Sequence, residues 1–356
     1  RNNVFIDFQN HVNLGVVTPL GVCFQRQRQL VCADPLTGKT VWERTLADGG
    51  CDLFGDEERI VVVPPGAKSG DALILSPIDG EILDRRKIDQ AEYRWATCGR
   101  NVLVFERRDS AVRLQLYDAT NQGNGLWKRE VKQGARGTII DGEDLAILEP
   151  GGQFTIISLK DGREILSQKP RDLTHLGDND LESIVVLRSD DQYLLMANQR
   201  AADADRSFSA SALQSSGVPV HGQLLAFDRH SGAMQWPVAA YIAQHGLVTD
   251  QPPDSPVVFF VRRVTTTRQG AQASRNSTSV LAIDKRDGRV LFADDGFIAE
   301  ASQSDVVVDP LKKSVTLTVT ASYLDRRTVT IELTDQPAPP QPPAQTGSRS
   351  SLAAGQ

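Results

Sequence analysis

Short apolar runs, separated by polar residues or glycine, recur along the chain up to about residue 333. The runs are rich in Val, Leu and aromatic residues, which is typical of β-strands, whose side chains point alternately to the two faces of a sheet. In the first repeating unit the predicted strands cover residues 15–20, 21–25, 29–33 and 40–46. The pattern therefore predicts an all-β chain built from units of four strands.

Six of the units share one design of hairpin turn between their predicted third and fourth strands. An Asp or Ser opens the turn, and a Gly usually follows four residues later. A carboxylate at the first position can accept hydrogen bonds from backbone N–H groups two or three residues on, and Gly tolerates the positive φ that such a turn needs before a β-bulge. We therefore assign a structural role to the turn residues Asp34, Gly38, Gly80, Asp118, Gly123, Gly162, Asp228, Gly232, Asp284 and Gly288.

The spacing of these turns predicts the architecture. The first four turn glycines are roughly forty residues apart, a period typical of β-propellers, in which each repeat is one four-stranded blade. A seventh unit at residues 306–333 shows three strands, and residues 4–8 form a strand with no unit of their own. We expect an all-β, seven-bladed β-propeller of antiparallel blades at residues 1–334, closed by that N-terminal strand; eight blades are the alternative. Residues 335–356, rich in Pro, Gln and Ser, are expected to form a disordered tail.

A large apolar residue follows the turn glycine by four positions in five of the six units. On the outer strand of a blade such a residue can pack against the next blade, and its burial contributes about 2–3 kcal/mol. Asp84 occupies this position in the second unit, where we expect a weaker contact. The predicted blade-docking residues are Trp42, Trp127, Leu166, Trp236 and Phe292.

The string Asp34-x-x-Thr37-Gly38-x-x-x-Trp42 recurs with substitutions at residues 228–236 and 284–292. It resembles the PQQ-like β-propeller repeat that quinoprotein alcohol dehydrogenases and the outer-membrane assembly lipoprotein BamB carry. The chain also resembles the C-terminal propeller regions of very large planctomycete proteins. These resemblances imply an interaction scaffold within a larger bacterial protein of the cell envelope or periplasm.

The resemblance to quinoprotein dehydrogenases would imply eight blades, an adjacent-cysteine disulfide, a Trp floor under the cofactor and an Asp base beside Ca²⁺. The chain has no Cys-Cys pair and no G-x-S-x-G, H-E-x-x-H or P-loop motif. Its five histidines are scattered, and we expect His221 and His230 to cap turns. We expect that the chain is not an enzyme, and we assign no catalytic residue, no cofactor and no metal. The alternatives are a cofactor- or ligand-binding domain that uses the central channel, or a ring that binds carbohydrate or peptide.

Two of the four cysteines, Cys23 and Cys32, flank a predicted hairpin with a two-residue loop at positions 27–28. This register would place the two thiols opposite each other, where a disulfide could bridge them. The other interpretation is that both, like Cys51 and Cys98, are free thiols buried in strands. None of the four has the spacing of metal ligands.

The net charge of -6 argues against nucleic acid as a partner. The sequence contains no run of eighteen apolar residues, so we expect no transmembrane segment in it. It begins at Arg1, without an initiator Met or a signal peptide, from which we expect a fragment of a longer protein.

Two neighbouring units carry long polar insertions between their predicted second and third strands, at residues 198–221 and 265–279. Successive connections in a blade alternate between the two faces of the ring, so both insertions are expected on the face opposite the glycine turns. Such loops commonly carry recognition in repeat scaffolds. We predict a protein-binding basic patch there. The alternative is that the two loops are disordered and have no binding role, and that their Arg residues only keep them soluble. The residues of the predicted patch are Arg200, Arg206, Arg262, Arg263, Arg268 and Arg275.

Overall fold

The computed structural model describes residues 16–18, 20–64, 71–87, 93–96, 101–109, 111–118, 125–200, 217–267, 274–299, 303–322 and 325–333. Within these ranges the regular structure is antiparallel β-sheet, apart from one 3₁₀ turn at Arg171–Leu173. The all-β prediction is confirmed. Residues 4–8 and 335–356 lie outside the described residues, so ring closure and the disordered tail remain predictions.

Four separate four-stranded sheets form the first four units, each with its strands in sequence order. The first sheet contains β1 (Val16–Thr18), β2 (Gly21–Arg26), β3 (Gln29–Ala33) and β4 (Thr40–Thr45). The second contains β5 (Asp52–Gly55), β6 (Ile60–Val63), β7 (Asp71–Leu75) and β8 (Ile82–Lys87). The third contains β9 (Tyr93–Ala96), β10 (Asn101–Arg107), β11 (Ala111–Asp118) and β12 (Gly125–Lys132). The fourth contains β13 (Arg136–Ile140), β14 (Asp144–Leu148), β15 (Phe154–Ser158) and β16 (Glu164–Gln168).

The fifth and sixth units share one seven-stranded sheet. Its strands are β17 (Leu181–Arg188), β18 (Gln192–Gln199), β19 (Gly217–Asp228), β20 (Ala240–Val248), β21 (Val257–Thr267), β22 (Ser274–Asp284) and β23 (Val290–Ile298). The seventh unit contains β24 (Gln303–Asp309), β25 (Ser314–Ser322) and β26 (Asp325–Glu332).

β20 joins the fifth unit to the sixth. Its first residues, from Ala240 to Ile242, pair with β19, whereas Gly246 and Leu247 also pair with β21. Between these two parts the register of the β19–β20 ladder shifts and Gln244 has φ 54. β20 therefore serves both as the last strand of the fifth unit and as the first strand of the sixth.

The seventh unit is a three-stranded sheet in the part of the chain that the structure describes. The Leu333 N–H donates to the Lys313 carbonyl (2.7 Å), as the Leu159 N–H does to the Glu143 carbonyl (2.8 Å) in the fourth sheet. In the fourth sheet, Leu159 directly follows the third strand, β15. The same type of bond also follows the fourth strand of the first sheet, where the Leu46 N–H donates to the Arg28 carbonyl (2.7 Å). It therefore extends the pairing of β26 with β25 by one residue. Within the described residues this sheet has three strands.

The core lies between consecutive sheets. Residues of the first and second sheets share one apolar cluster, residues of the second and third share another, and the same holds for each following pair of units. Between the fourth and fifth units, for example, the rings of Phe154 and Phe227 lie 5.1 Å apart. Face-to-face packing of successive sheets is the arrangement that blades of a propeller need.

Candidate functional site

The repeated turns have one hydrogen-bond pattern. In the first sheet the Asp34 carboxylate accepts the Leu36 N–H (2.8 Å), and the Gly38 N–H donates to the Asp34 carbonyl (2.8 Å). The bond from the Leu36 N–H, followed by that from the Thr37 hydroxyl, lowers the pKa of the Asp34 carboxyl below its ordinary range. The turn glycines that the structure describes all have φ between 67 and 78: Gly38, Gly80, Gly162, Gly232 and Gly288. Asp118 ends β11, and Gly123 lies outside the described residues.

Asp228 and Asp284 play the same part in the fifth and sixth units. The Asp228 carboxylate accepts the Ser231 N–H and the Ser231 hydroxyl, both at 2.7 Å. The Asp284 carboxylate accepts the Arg286 N–H (2.9 Å) and also binds the Arg286 guanidinium (2.7 Å). These carboxylates are occupied within their own turns, which fits a structural role for them.

Three of the turns are each connected to the preceding sheet by one tryptophan of that sheet. The indole Nε1–H of Trp42 donates to the Pro77 carbonyl, that of Trp127 to the Leu159 carbonyl and that of Trp236 to the Lys285 carbonyl, each at 2.9 Å. In every case the acceptor is the second residue of the next unit's turn. At these three predicted docking positions the tryptophan contacts the next unit, and the indole–carbonyl bond adds direction to the apolar contact.

The turn glycine is needed for a second reason. A Cβ at Gly80 would lie 2.6 Å from the Trp42 ring, and a Cβ at Gly288 would lie 2.6 Å from the Trp236 ring. The same holds for Gly162, where a Cβ would lie 2.8 Å from Trp127. The indole packs directly on the glycine backbone, so any side chain there would displace the ring.

The residues at the other predicted docking positions make contacts of different kinds. Leu166 is buried, and its Cγ lies 3.7 Å from where a Cβ at Gly232 would be, an ordinary contact. Phe292 packs edge-on against Phe297, with centroids 5.8 Å apart, in the core between the sixth and seventh units. Asp84 is exposed and pairs with Arg86 on its own strand (2.7 Å).

The basic residues predicted to form a patch are placed differently from the expectation. The prediction that residues 265–279 form a loop was wrong, because β21 continues to Thr267 and β22 begins at Ser274. Arg262 and Arg263 are half-buried on β21, as expected, opposite Ser279 and Thr278. Arg275 lies on β22, opposite Thr266. Arg200 is exposed just after β18. Arg206 and Arg268 lie outside the described residues.

The other insertion is also shorter than predicted, since β19 begins at Gly217. His221 therefore lies within β19, and the prediction that it caps a turn was wrong. Its ring packs edge-on against Tyr241, with centroids 5.8 Å apart. His230, in contrast, lies in the turn opened by Asp228, whose carboxylate accepts the His230 N–H (3.1 Å).

The glycine turns of the fifth and sixth units lie at the same end of the molecule. Gln192, which directly opposes Asp228 at the turn end of β18, donates from Nε2 to the Lys285 carbonyl in the next turn (2.7 Å). The β18–β19 and β21–β22 connections leave from the opposite ends of these strands. This geometry supports the expectation that the two hairpin ends share a face.

Three hydrogen-bonded polar side chains lie beside Arg262: His245 and Ser279, which are buried, and Asp295, which is exposed. His245 Nδ1 donates to the Ala243 carbonyl (2.8 Å), and its Nε2 lies 3.3 Å from the Ser279 hydroxyl. Ser279 in turn donates to the Asp295 carboxylate (3.1 Å). Burial lowers the pKa of His245, and the Arg262 charge lowers it further. These hydrogen bonds join β20, β22 and β23, and nothing in the spacing of the three residues along the sequence signals them.

Among the residues described, no group of three or more His, Cys, Asp or Glu side chains is arranged to hold a metal ion. The described part of the chain also contains no helix long and apolar enough to cross a membrane.

Successive antiparallel sheets, joined by glycine turns and the tryptophans that pack on them, define a protein of the PQQ-like β-propeller class. The family described as outer membrane protein assembly factor BamB matches residues 11–294, and the chain belongs to this family. Comparison with curated proteins gives no match.

Several solved structures match this chain at low identity. BamB from Moraxella catarrhalis is 14% identical, with 85% of this chain and 78% of that chain covered and a TM-score of 0.37. Kluyveromyces lactis Hsv2 is 10% identical, covering 88% and 94% respectively, with a TM-score of 0.39. Dihydro-heme d1 dehydrogenase NirN is 14% identical, covering 88% and 64%, with a TM-score of 0.41. Likenesses at this level carry no argument about the activity of this chain.

Proposed function

We propose that the chain is a non-catalytic β-propeller scaffold that binds a protein partner at the cell envelope. Membership of the BamB family supports an interaction scaffold at a coarse level and points towards the outer membrane or periplasm. The prominent polar groups of the repeat, the turn carboxylates, are engaged within their own turns. This leaves surface recognition as the function that the fold serves best.

The binding face is the one that carries the β18–β19 and β21–β22 connections. The observation that supports this choice is the β21–β22 hairpin, which continues its pairing from Val257↔Asp284 to Thr267↔Ser274. β6 and β7 in the second sheet, by contrast, pair over three positions. A long hairpin presents side chains on a stiff support, which reduces the entropy lost on binding.

The partner surface is acidic. Arg262 and Arg263 lie on β21, and Arg200 is exposed at the end of β18 on the neighbouring part of the same sheet. The chain as a whole carries a net charge of -6. A local basic patch on an acidic protein steers an acidic partner towards one face and repels it from the others.

The experiment replaces residues 201–216 and 268–273 by short Gly-Ser linkers and reverses the charge of Arg200 (Arg200→Glu). Lys160→Glu is the matched control, because Lys160 is exposed in the glycine turn of the fourth sheet, at the other end of the strands. Circular dichroism first shows that all variants keep the β-sheet signal. Chemical cross-linking in envelope preparations, followed by mass spectrometry, then identifies the proteins bound.

The proposal requires that a partner captured by the wild type and by Lys160→Glu is lost or at least tenfold reduced in the loop variant. Identical partners and yields in all three proteins would refute the binding face.

A further inference from the structure

Two cysteine side chains face each other inside the first sheet. Cys23 on β2 and Cys32 on β3 are register partners in the β2–β3 ladder. Both are fully buried, in the apolar cluster between the first and second sheets. The structure contains both as free thiols.

The pair occupies the type of site where antiparallel strands approach each other most closely. β2 and β3 are joined by a two-residue turn, so the flanking pair Arg26↔Gln29 is hydrogen-bonded. Hydrogen-bonded and non-hydrogen-bonded pairs alternate along an antiparallel ladder, which makes Cys23↔Cys32 a non-hydrogen-bonded pair.

A hydrogen bond on the other edge of β3, which faces β4, also indicates that Cys23↔Cys32 is a non-hydrogen-bonded pair. The Asp34 N–H donates to the Lys39 carbonyl, and hence away from β2. Cys32, two residues earlier, has the same backbone orientation. In a non-hydrogen-bonded pair the Cα atoms are about 4.5 Å apart, which lies within the range that a disulfide spans.

Gly21 leaves room for the sulfur atom of Cys32. A Cβ at Gly21 would lie 2.6 Å from the Cys32 Sγ, so the absence of a side chain at Gly21 makes the space that this sulfur occupies. The Cys23 thiol contacts the Cys32 thiol directly, and this contact, after burial, raises the pKa of Cys23 above its ordinary value. A thiol held in its protonated form is a poor nucleophile, so the folded sheet protects the pair from exchange.

We propose that Cys23 and Cys32 form a structural cross-strand disulfide when the chain folds in the presence of a disulfide oxidant. The oxidant is a small-molecule or protein disulfide, such as oxidised glutathione. One cysteine thiolate attacks the oxidant and forms a mixed disulfide, with release of one thiol. The second cysteine then displaces the other thiol, so that two protons and two electrons leave the pair and one S–S bond forms. The bond forms before the hairpin is buried, while the thiols are accessible. This inference does not depend on the proposed partner-binding function.

A tryptic peptide map of the wild-type chain tests the proposal directly. Trypsin cleaves after Arg26 and Arg28, which separates Cys23, in peptide 2–26, from Cys32, in peptide 29–39. The full chain is unfolded in reductant and refolded with a mixture of reduced and oxidised glutathione, and a parallel sample is refolded in dithiothreitol. Free thiols are then alkylated and the digest is analysed without reduction.

The expected result is a linked pair of peptides 2–26 and 29–39 after oxidative refolding and two separate alkylated peptides after reductive refolding. Separate alkylated peptides under both conditions, or a link from Cys32 to Cys51, would overturn the proposal.

Thermal unfolding gives a second measurement. Closing a loop of this length should raise the midpoint of the oxidised protein by roughly 5 °C over the reduced protein. Cys32→Ala should abolish the difference. Cys51→Ala, a change of the third buried thiol in the same cluster, should leave it intact. A difference that survives in Cys32→Ala would contradict the assignment, and the peptide map decides the matter if that variant does not fold.

Discussion

At the scale of single residues, the turn glycines meet two independent requirements. Each of those that the structure describes has a positive φ, as the design of the turn predicts. Gly80, Gly162 and Gly288 also lie directly under a tryptophan of the preceding sheet. The second requirement could not be read from the sequence, because it depends on how one unit packs on the next. The docking positions themselves were predictable, since bulky residues recur at a fixed distance after the glycine.

Replacing Gly80 by Ala should therefore cost more stability than replacing Gly232 by Ala. Both positions have φ 71, so both variants have a backbone penalty of about 1 kcal/mol. Only at Gly80 does the new methyl group meet an indole, at 2.6 Å, whereas Leu166 lies at 3.7 Å from the corresponding point at Gly232. Overpacking of this kind adds about 1–3 kcal/mol.

Urea unfolding of the two variants, compared with the wild type, measures the difference. Equal losses of unfolding free energy in Gly80→Ala and Gly232→Ala would show that the tryptophan contact does not constrain the turn.

At the scale of elements, the sequence located most strands but misjudged where two of them end. Residues 265–279 were interpreted as a loop because they are polar. Thr265, Thr266 and Thr267 are β-branched, however, and β-branched residues favour strands even where they are not apolar. The strand that the fifth and sixth units share could not be predicted from the sequence either. Pro237 has no N–H to donate and suggests a break, but the chain resumes as β20 and continues into the next unit.

Lys285 should make the stability of the folded protein pH-dependent. Its amine is buried and donates to the Pro253 carbonyl (2.7 Å). Burial lowers its pKa from 10.5 to about 8. Between these two values the unfolded chain binds more protons than the folded one, so the stability contributed by this residue rises with pH from about 8 to 10.5. Below pH 8 the amine is charged in both states and the cost of burying it is fully present.

Guanidinium unfolding of the wild type and Lys285→Met at pH 7.5 and pH 9.5 checks this. The unfolding free energy of the wild type, measured relative to Lys285→Met, should increase between the two pH values. Other titrating groups cancel in this comparison. A difference that stays constant or falls with pH would show that the Lys285 amine is not desolvated in the folded protein.

At the scale of the whole molecule, the described sheets follow one another in sequence, each packed on the next through an apolar cluster. The repeat spacing was sufficient to predict this series, because each unit needs a neighbour to cover its apolar face. The last sheet has three strands within the described residues, with β26 at its edge. The binding face proposed above depends on this series closing into a ring, with residues 4–8 as the missing outer strand.

Hydrogen–deuterium exchange of β26 is the most direct test of the closed ring. It compares the full chain with a variant that lacks residues 1–10, and β15, paired on both sides by β14 and β16, serves as the internal control. A closed propeller predicts that the outward-pointing amides of β26 are protected in the full chain and lose that protection in the truncated variant, while β15 is unchanged. Equal exchange of β26 in the two proteins would contradict closure by the N-terminal strand.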